Sequence, residues 1–198
     1  NITNGQYWAA KASFSGTKIS VANNTVLLIG EQLGIGYMLY KNFLTMDNVE
    51  ITVPKGKTLE FIICDYGTIK DYDNVVLKNI TIKGGGQVSF ISGGSIAVNS
   101  IKSVDNSRIL FIANKNLNMS DPFINADKQL DGGCFLSSAG NMQMLVSSNA
   151  AAAFYGQMQS AGLISIGGQS GGTGKLVLRF NKIGEKLKMP NMYYLKAA

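Results

Sequence analysis

The stretch Asn74–Ile112, NVVLKNITIKGGGQVSFISGGSIAVNSIKSVDNSRILFI, sets the reading of the whole chain. Four short runs within it, VVLKNITI, QVSFI, SIAV and RILFI, are rich in the β-branched and aromatic residues that suit a pleated, half-buried surface. KGGG, SGG and VDNS separate them with residues that make tight turns. Short strands joined by such turns predict a solenoid, in which each coil lays its strands over the previous one. The expected fold is all-β: a single-domain parallel β-helix with a short terminal cap. A β-sandwich or jelly roll is the alternative, because strands at sandwich intervals fit parts of the chain as well.

Working outward, five segments open with Asn and continue as alternating strands, at Asn24, Asn48, Asn74, Asn106 and Asn141. The third and fifth residues after each are Leu27 and Ile29, Ile51 and Val53, Leu77 and Asn79, Ile109 and Phe111, and Met144 and Val146. All but Asn79 are apolar, so these positions are expected to line one strand face. Asn tolerates the left-handed conformation of a coil corner, and stacked amides would form a ladder. Asn79 is expected to be such an inward corner residue. In residues 49–65, VEITVPKGKTLEFIICD, Pro54 ends one strand and Gly56 permits the turn into the next. Leu59, Phe61 and Ile63 share one face of that second strand, and Glu60, Ile62 and Cys64 share the other. A strand apolar on both faces needs cover on its outer side. In the sandwich alternative, Pro54–Lys57 is a hairpin turn.

The expected organisation is an N-terminal arm or cap over 1–22, a solenoid core over 23–180, and a C-terminal cap or docking tail over 181–198. In the tail, NKIGEKLKM reads as a short amphipathic helix with Ile183 and Leu187 inward, covering the open end of the solenoid. The aromatic residues Tyr7, Trp8 and Phe14 near one terminus, and Tyr193, Tyr194 and Leu195 at the other, are candidates for docking on another subunit.

Only 15% of the 198 residues are charged, against 45% hydrophobic. The surface must therefore be largely uncharged polar, or buried against other copies. The net charge is +6, from 18 basic and 12 acidic residues. Apart from Lys182, Lys186 and Lys188 the basic residues are scattered, so no nucleic-acid partner is expected, although attraction to an anionic surface or polysaccharide is allowed. Histidine is absent, which removes the usual general base and the commonest metal ligand. No run reaches the roughly 18 apolar residues of a membrane-spanning helix. The chain begins at Asn1 rather than Met, as a mature or trimmed product would, and the expected location is extracellular or at the cell surface.

Asp65, Asp71 and Asp73 lie close together in DYGTIKDYDN with Tyr66 and Tyr72, a spacing from which calcium ligands are drawn. The full helix–loop–helix calcium signature is missing, so a solvated loop is the plainer reading. No cofactor is expected. Cys64 and Cys134 both sit in apolar contexts, and one disulfide and two buried thiols are equally compatible with their spacing. GGQSGGTG at 167–174 lacks the Lys-Ser/Thr of a phosphate loop and reads as a turn.

The string from Asn74, NVVLKNITIKGG, resembles coils of right-handed parallel β-helix proteins such as pectate lyases and polygalacturonases. The later Gly- and Ser-rich strands resemble autotransporter passengers and haemagglutinin-type adhesins. The enzymatic members imply paired carboxylates with Arg, Lys or His in a cleft across consecutive coils. This chain has no His, and its two arginines, Arg108 and Arg179, stand in separate segments, so no enzyme activity is expected. The expected function is an extracellular structural or adhesive protein, a self-assembling fibre subunit or adhesin module whose partners are copies of itself and surface glycans. A polysaccharide-binding or -cleaving β-helix, and a sandwich protein of a capsid or fibre head, are the alternatives.

Overall fold

The computed structural model describes residues 5–30, 43–64, 73–124, 132–147, 149–168 and 173–189. They form a parallel β-helix with three faces. Face A stacks β1 (Gly5–Ala9), β4 (Thr25–Gly30), β6 (Thr58–Cys64), β8 (Gln87–Ser92), β10 (Arg108–Ala113), β13 (Gly133–Ser138) and the second half of β15 (Ala151–Ser160). Face B stacks β2 (Ala12–Ser15), the first halves of β5 (Leu44–Thr52), β7 (Asp73–Lys83) and β9 (Ser95–Ser103), then β11 (Leu117–Ser120), β14 (Met142–Val146) and β16 (Ile164–Gly168). Face C stacks β3 (Lys18–Ser20), the second halves of β5, β7 and β9, then β12 (Phe123–Ile124), the first half of β15, and β17 (Lys175–Phe180).

Every strand pairing among the described residues is parallel, and the antiparallel contact there is an isolated bridge, Pro54–Gly85. The sandwich alternative is thereby corrected. Pro54–Lys57 is no hairpin turn: β5 ends on face C, β6 starts face A of the next coil, and the two strands do not pair. Residues 5–20, set apart in the sequence as an arm or cap, pair as the first coil.

The coil length follows from the register. Gly5 lies on Thr25, Thr25 on Leu59, Thr58 on Gln87, Gln87 on Arg108, Arg108 on Gly133 and Cys134 on Gly156, so successive coils take 20, 34, 29, 21, 25 and 22 residues. The Asn openers therefore do not mark one corner. Asn24 and Asn106 precede face A, Asn74 and Asn141 precede or open face B, and Asn48 divides B from C. The nine apolar residues counted from them are all buried, but on three different faces. Alternation is a local property of each strand, so it survives when the assumed coil start is wrong.

The corner between faces B and C carries the real repeat. Gly16, Asn48, Asn79, Ser100 and Asp121 occupy it in five successive coils, all with φ between 46° and 59°. One left-handed residue turns the chain from one face to the next while the strands on either side keep their pairing. Gly, Asn and Asp accept that conformation at least cost. Asn79 is thus a corner residue as expected, but it points out to solvent, where its Nδ2 donates to Asp47 Oδ1 at 3.4 Å. The expected ladder takes another form at the corner between A and B, where side-chain oxygens accept from backbone N–H groups of the next coil. There Ser95 Oγ accepts from Asn116 N at 3.3 Å, Asn116 Oδ1 from Asn141 N at 2.9 Å, and Asn141 Oδ1 from Leu163 N at 3.0 Å.

Inside, identical positions of successive coils stack into columns. Leu27, Phe61, Phe90, Phe111 and Leu136 form one on face A. The ring centroids of Phe61 and Phe90 lie 5.1 Å apart and those of Phe90 and Phe111 5.2 Å apart, with the planes nearly parallel and stacked. Each such ring removes its whole surface from water, about 1.5–3 kcal/mol of apolar burial before stacking is counted. The core is one continuous column, from Ile19 in the first coil to Phe154 in the next-to-last.

Candidate functional site

A parallel β-helix is stabilised along its length by each coil's neighbours, so its chemistry is decided by what it leaves uncovered: three outer faces and two ends. The outer side of face A mixes apolar residues such as Leu110, Ile112 and Phe135 with polar ones, and the chain's own C-terminal segment covers part of it. A single 3-10 turn, Ile183–Lys186, lays buried Ile183 and Leu187 against Leu110 and Phe135. The segment then runs back across earlier coils. Lys186 O accepts from Arg108 Nη1 at 3.0 Å, and Gln87 clamps Lys188 through two bonds, Lys188 N to Oε1 at 2.8 Å and Nε2 to Lys188 O at 2.7 Å. The expected inward pair Ile183 and Leu187 is correct, but their place is not. They cover the flank of the solenoid rather than its open end, because face A offers apolar outer residues at Leu110 and Phe135. Between this turn and face A lies an open groove of about 510 Å³, lined by Phe135, Gln157, Gln159, Asn181 and Lys182 among others. Burial raises the pKa of Glu60, also on this flank, against the opposing pull of Lys188.

The outward column of face B runs Ser13, Thr45, Val76, Ala97, Asn118, Gln143 and Ser165, with Thr45 Oγ1 donating to Ser13 Oγ at 2.8 Å. Face C is different and carries basic and aromatic side chains, including Lys102 over Phe123.

The last coil is open. β16 pairs only with β14, β17 only with β15, and the second half of β15 only with β13, so among the described residues their far edges meet no strand. The side chains that continue the inner columns are correspondingly wet. Ile164 continues the column of Ile96, Leu117 and Met142, which are 0–1% exposed, yet is itself 39% exposed. Ile166 above Met144 is 40% exposed, and Phe180 at the end of β17 is 65% exposed. Leu163 at the A–B corner is also exposed. Among the described residues the far edges of the first coil likewise meet no strand: β1 pairs with β4, and β2 and β3 with β5.

The residues singled out from sequence fall as follows. Tyr7 and Trp8 are exposed on β1 of the first coil, and Phe14 on β2 packs partly against the core. Tyr193, Tyr194 and Leu195 lie outside the described residues, as do Asp65 and Asp71. Asp73 opens β7, with its backbone alone described. Among the described residues no group of three or more His, Cys, Asp or Glu could hold a metal ion. Cys134 is a free, fully buried thiol whose pKa burial pushes well above its ordinary value. The disulfide option is corrected by the register. Cys134 stacks over Ile109, Val88 and Leu59, three rungs up, while Cys64 is five residues further along β6. At about 4.8 Å per rung and about 3.3 Å per residue, their Cα atoms stand roughly 20 Å apart. A disulfide needs less than about 7 Å.

Sequence reasoning missed the exposed inner-column residues of the last coil and the basic character of face C. GLISIGG and KLVLRF were legible as strands, but nothing in them tells whether another coil lies above. No helix among the described residues is long and apolar enough to cross a membrane. No protein-family model, curated protein or solved structure matches the chain.

Proposed function

We infer that this chain is a structural or adhesive building block that stacks end to end with copies of itself at the outside of a cell. The observation that carries the reading is the open last coil, with Ile164, Ile166 and Phe180 exposed at the top of an otherwise dry column. A strand edge with unpaired N–H and C=O groups is a template for pairing, and apolar side chains beside it strengthen the tendency. The two ends also match. The last coil presents its edges in the order A, B, C as β15, β16 and β17, and the first coil presents β1, β2 and β3 in the same order and direction. A first coil set on another copy's last coil continues one parallel helix. Such a head-to-tail contact uses two different surfaces and does not close, so it grows into a filament.

Trp8, Tyr7 and Phe14 at one end and the last coil at the other are the residues assigned to this contact. The low share of charged residues fits a chain whose ends are covered in use. Sedimentation velocity over a concentration series tests the reading. The expected result is growth of larger species with concentration, suppressed in the Ile164→Lys/Ile166→Lys variant. A wild-type chain that stays monomeric at the highest concentration overturns it.

A further inference from the structure

The outer side of face C has a chemistry of its own. Its middle outward column runs Lys18, Glu50, Thr81, Lys102, Phe123, Ala153 and Val177, one residue per coil. Two residues further along the strands stand Lys83 in the third coil, and Tyr155 and Arg179 in the last two. On the opposite flank Lys175 stands above Ala151. Phe123 is 41% and Val177 50% exposed, so Phe123, Ala153 and Val177 make a flat apolar strip two rungs long, about 10 Å at the usual strand spacing.

The acids near this strip are already engaged. Glu50 is held by Lys83 at 2.9 Å and Lys18 at 3.8 Å. Asp121, at the corner, accepts from Ser147 N at 2.7 Å through Oδ1 and from Ser147 Oγ through Oδ2. Lys102, 6.0 Å from the centroid of the Phe123 ring, sits at the lower end of the strip, and Lys175 and Arg179 flank its upper end. Among the described residues none of these three cations has an ion-pair partner.

We propose that this face binds a linear acidic polysaccharide, with sugar rings on the Phe123–Val177 strip and the carboxylates or sulfates on Lys102, Lys175 and Arg179. A pyranose ring presents an apolar C–H face and polar edges, which matches an apolar strip edged by cations. Single-stranded nucleic acid needs open aromatic faces for successive bases to stack on. Here one face of Phe123 lies under Lys102, and Tyr155 is half-buried. The site is complete within one copy, so it stands whether or not the chain self-associates.

The test is binding of the full chain to alginate and heparin over a salt series, with dextran, an oligo-dT strand and anionic phosphatidylserine vesicles alongside. The expected result is saturable binding to an acidic polysaccharide that weakens with salt, and none to dextran. The Lys102→Gln/Lys175→Gln/Arg179→Gln variant loses about tenfold in affinity, and Phe123→Ser loses several-fold. A control with the same charge loss elsewhere, Lys11→Gln/Lys55→Gln/Lys78→Gln, loses less than about twofold. Unfolding midpoints matching wild type confirm that the variants are folded. The proposal is overturned by no binding to either polysaccharide, by equal loss in the two triple variants, or by tighter binding to oligo-dT or the vesicles.

Discussion

The middle coils and the last coil are written in the same residue pattern and end in opposite states. Ile96, Leu117, Met142 and Ile164 form one column, but the first three are dry and the fourth is wet. Phe90, enclosed between the rings of two other coils, is 0% exposed, whereas Phe180 ends β17 at 65%. Burial here belongs to the stack rather than to the strand. The middle coils are dry with a coil on each side, and among the described residues the last coil has one on one side only.

Removing a ring should therefore have effects set by its neighbours. Phe90→Ala opens a cavity between two stacked rings and is expected to cost about 3–5 kcal/mol in urea unfolding. Phe180→Ser should change the unfolding free energy of the isolated chain by less than about 0.5 kcal/mol. Equal losses would break the contrast between buried and open coils. Gly156, at the seam where the last coil sits on the closed coil beneath it, offers a second probe. A Cβ built there meets the Cys134 carbonyl carbon at 2.8 Å and its oxygen closer still, so Gly156→Ala must push two coils apart. A loss of about 1–3 kcal/mol, the range for overpacking, is expected from chemical denaturation.

Much of the solenoid was legible because its cues are local. QVSFI and RILFI alternate, KGGG and VDNS turn, and no long-range information is needed to see either. LEFIIC, apolar on both faces, correctly called for cover over face A, and the Ile183–Leu187 pair supplies part of it at Leu110 and Phe135. What failed was the phase. The Asn openers fall at three corners, because Asn suits any tight turn and does not distinguish one corner from another. The left-handed corner is occupied by Gly16, Asn48, Asn79, Ser100 and Asp121, four residue types that share a backbone state rather than a letter. The candidate interaction surfaces were the least legible part. Lys102 and Phe123 are 21 residues apart, and only the coil length places one directly over the other.

Smaller effects sharpen the comparison further. Asn141 bridges two coils, accepting from Leu163 N and donating its own N to Asn116 Oδ1, so Asn141→Ala removes the rung that holds the last coil's entry. A cost of about 1 kcal/mol is expected, with faster amide exchange in β16 than in β14. Cys134 should resist a thiol reagent in the native state and react at the rate of unfolding, since its thiol is buried and held protonated. The smallest change is at Glu60, whose folded-state pKa is raised mainly by burial. A raised folded pKa means that its contribution favours the fold at acid pH and is lost as pH climbs past the ordinary carboxylate range. Glu60→Gln should then stabilise slightly at pH 7, by no more than about 0.5 kcal/mol given its partial exposure, and have no effect at pH 3.

Hydrogen exchange of the end-coil amides, measured on dilute and on concentrated protein, tests the stacking of copies most directly. The account predicts that amides of β16, β17 and β1–β3 gain protection as concentration rises, while those of β8 and β10 stay equally slow at both. End-coil amides that exchange at the same rate at every concentration would contradict it.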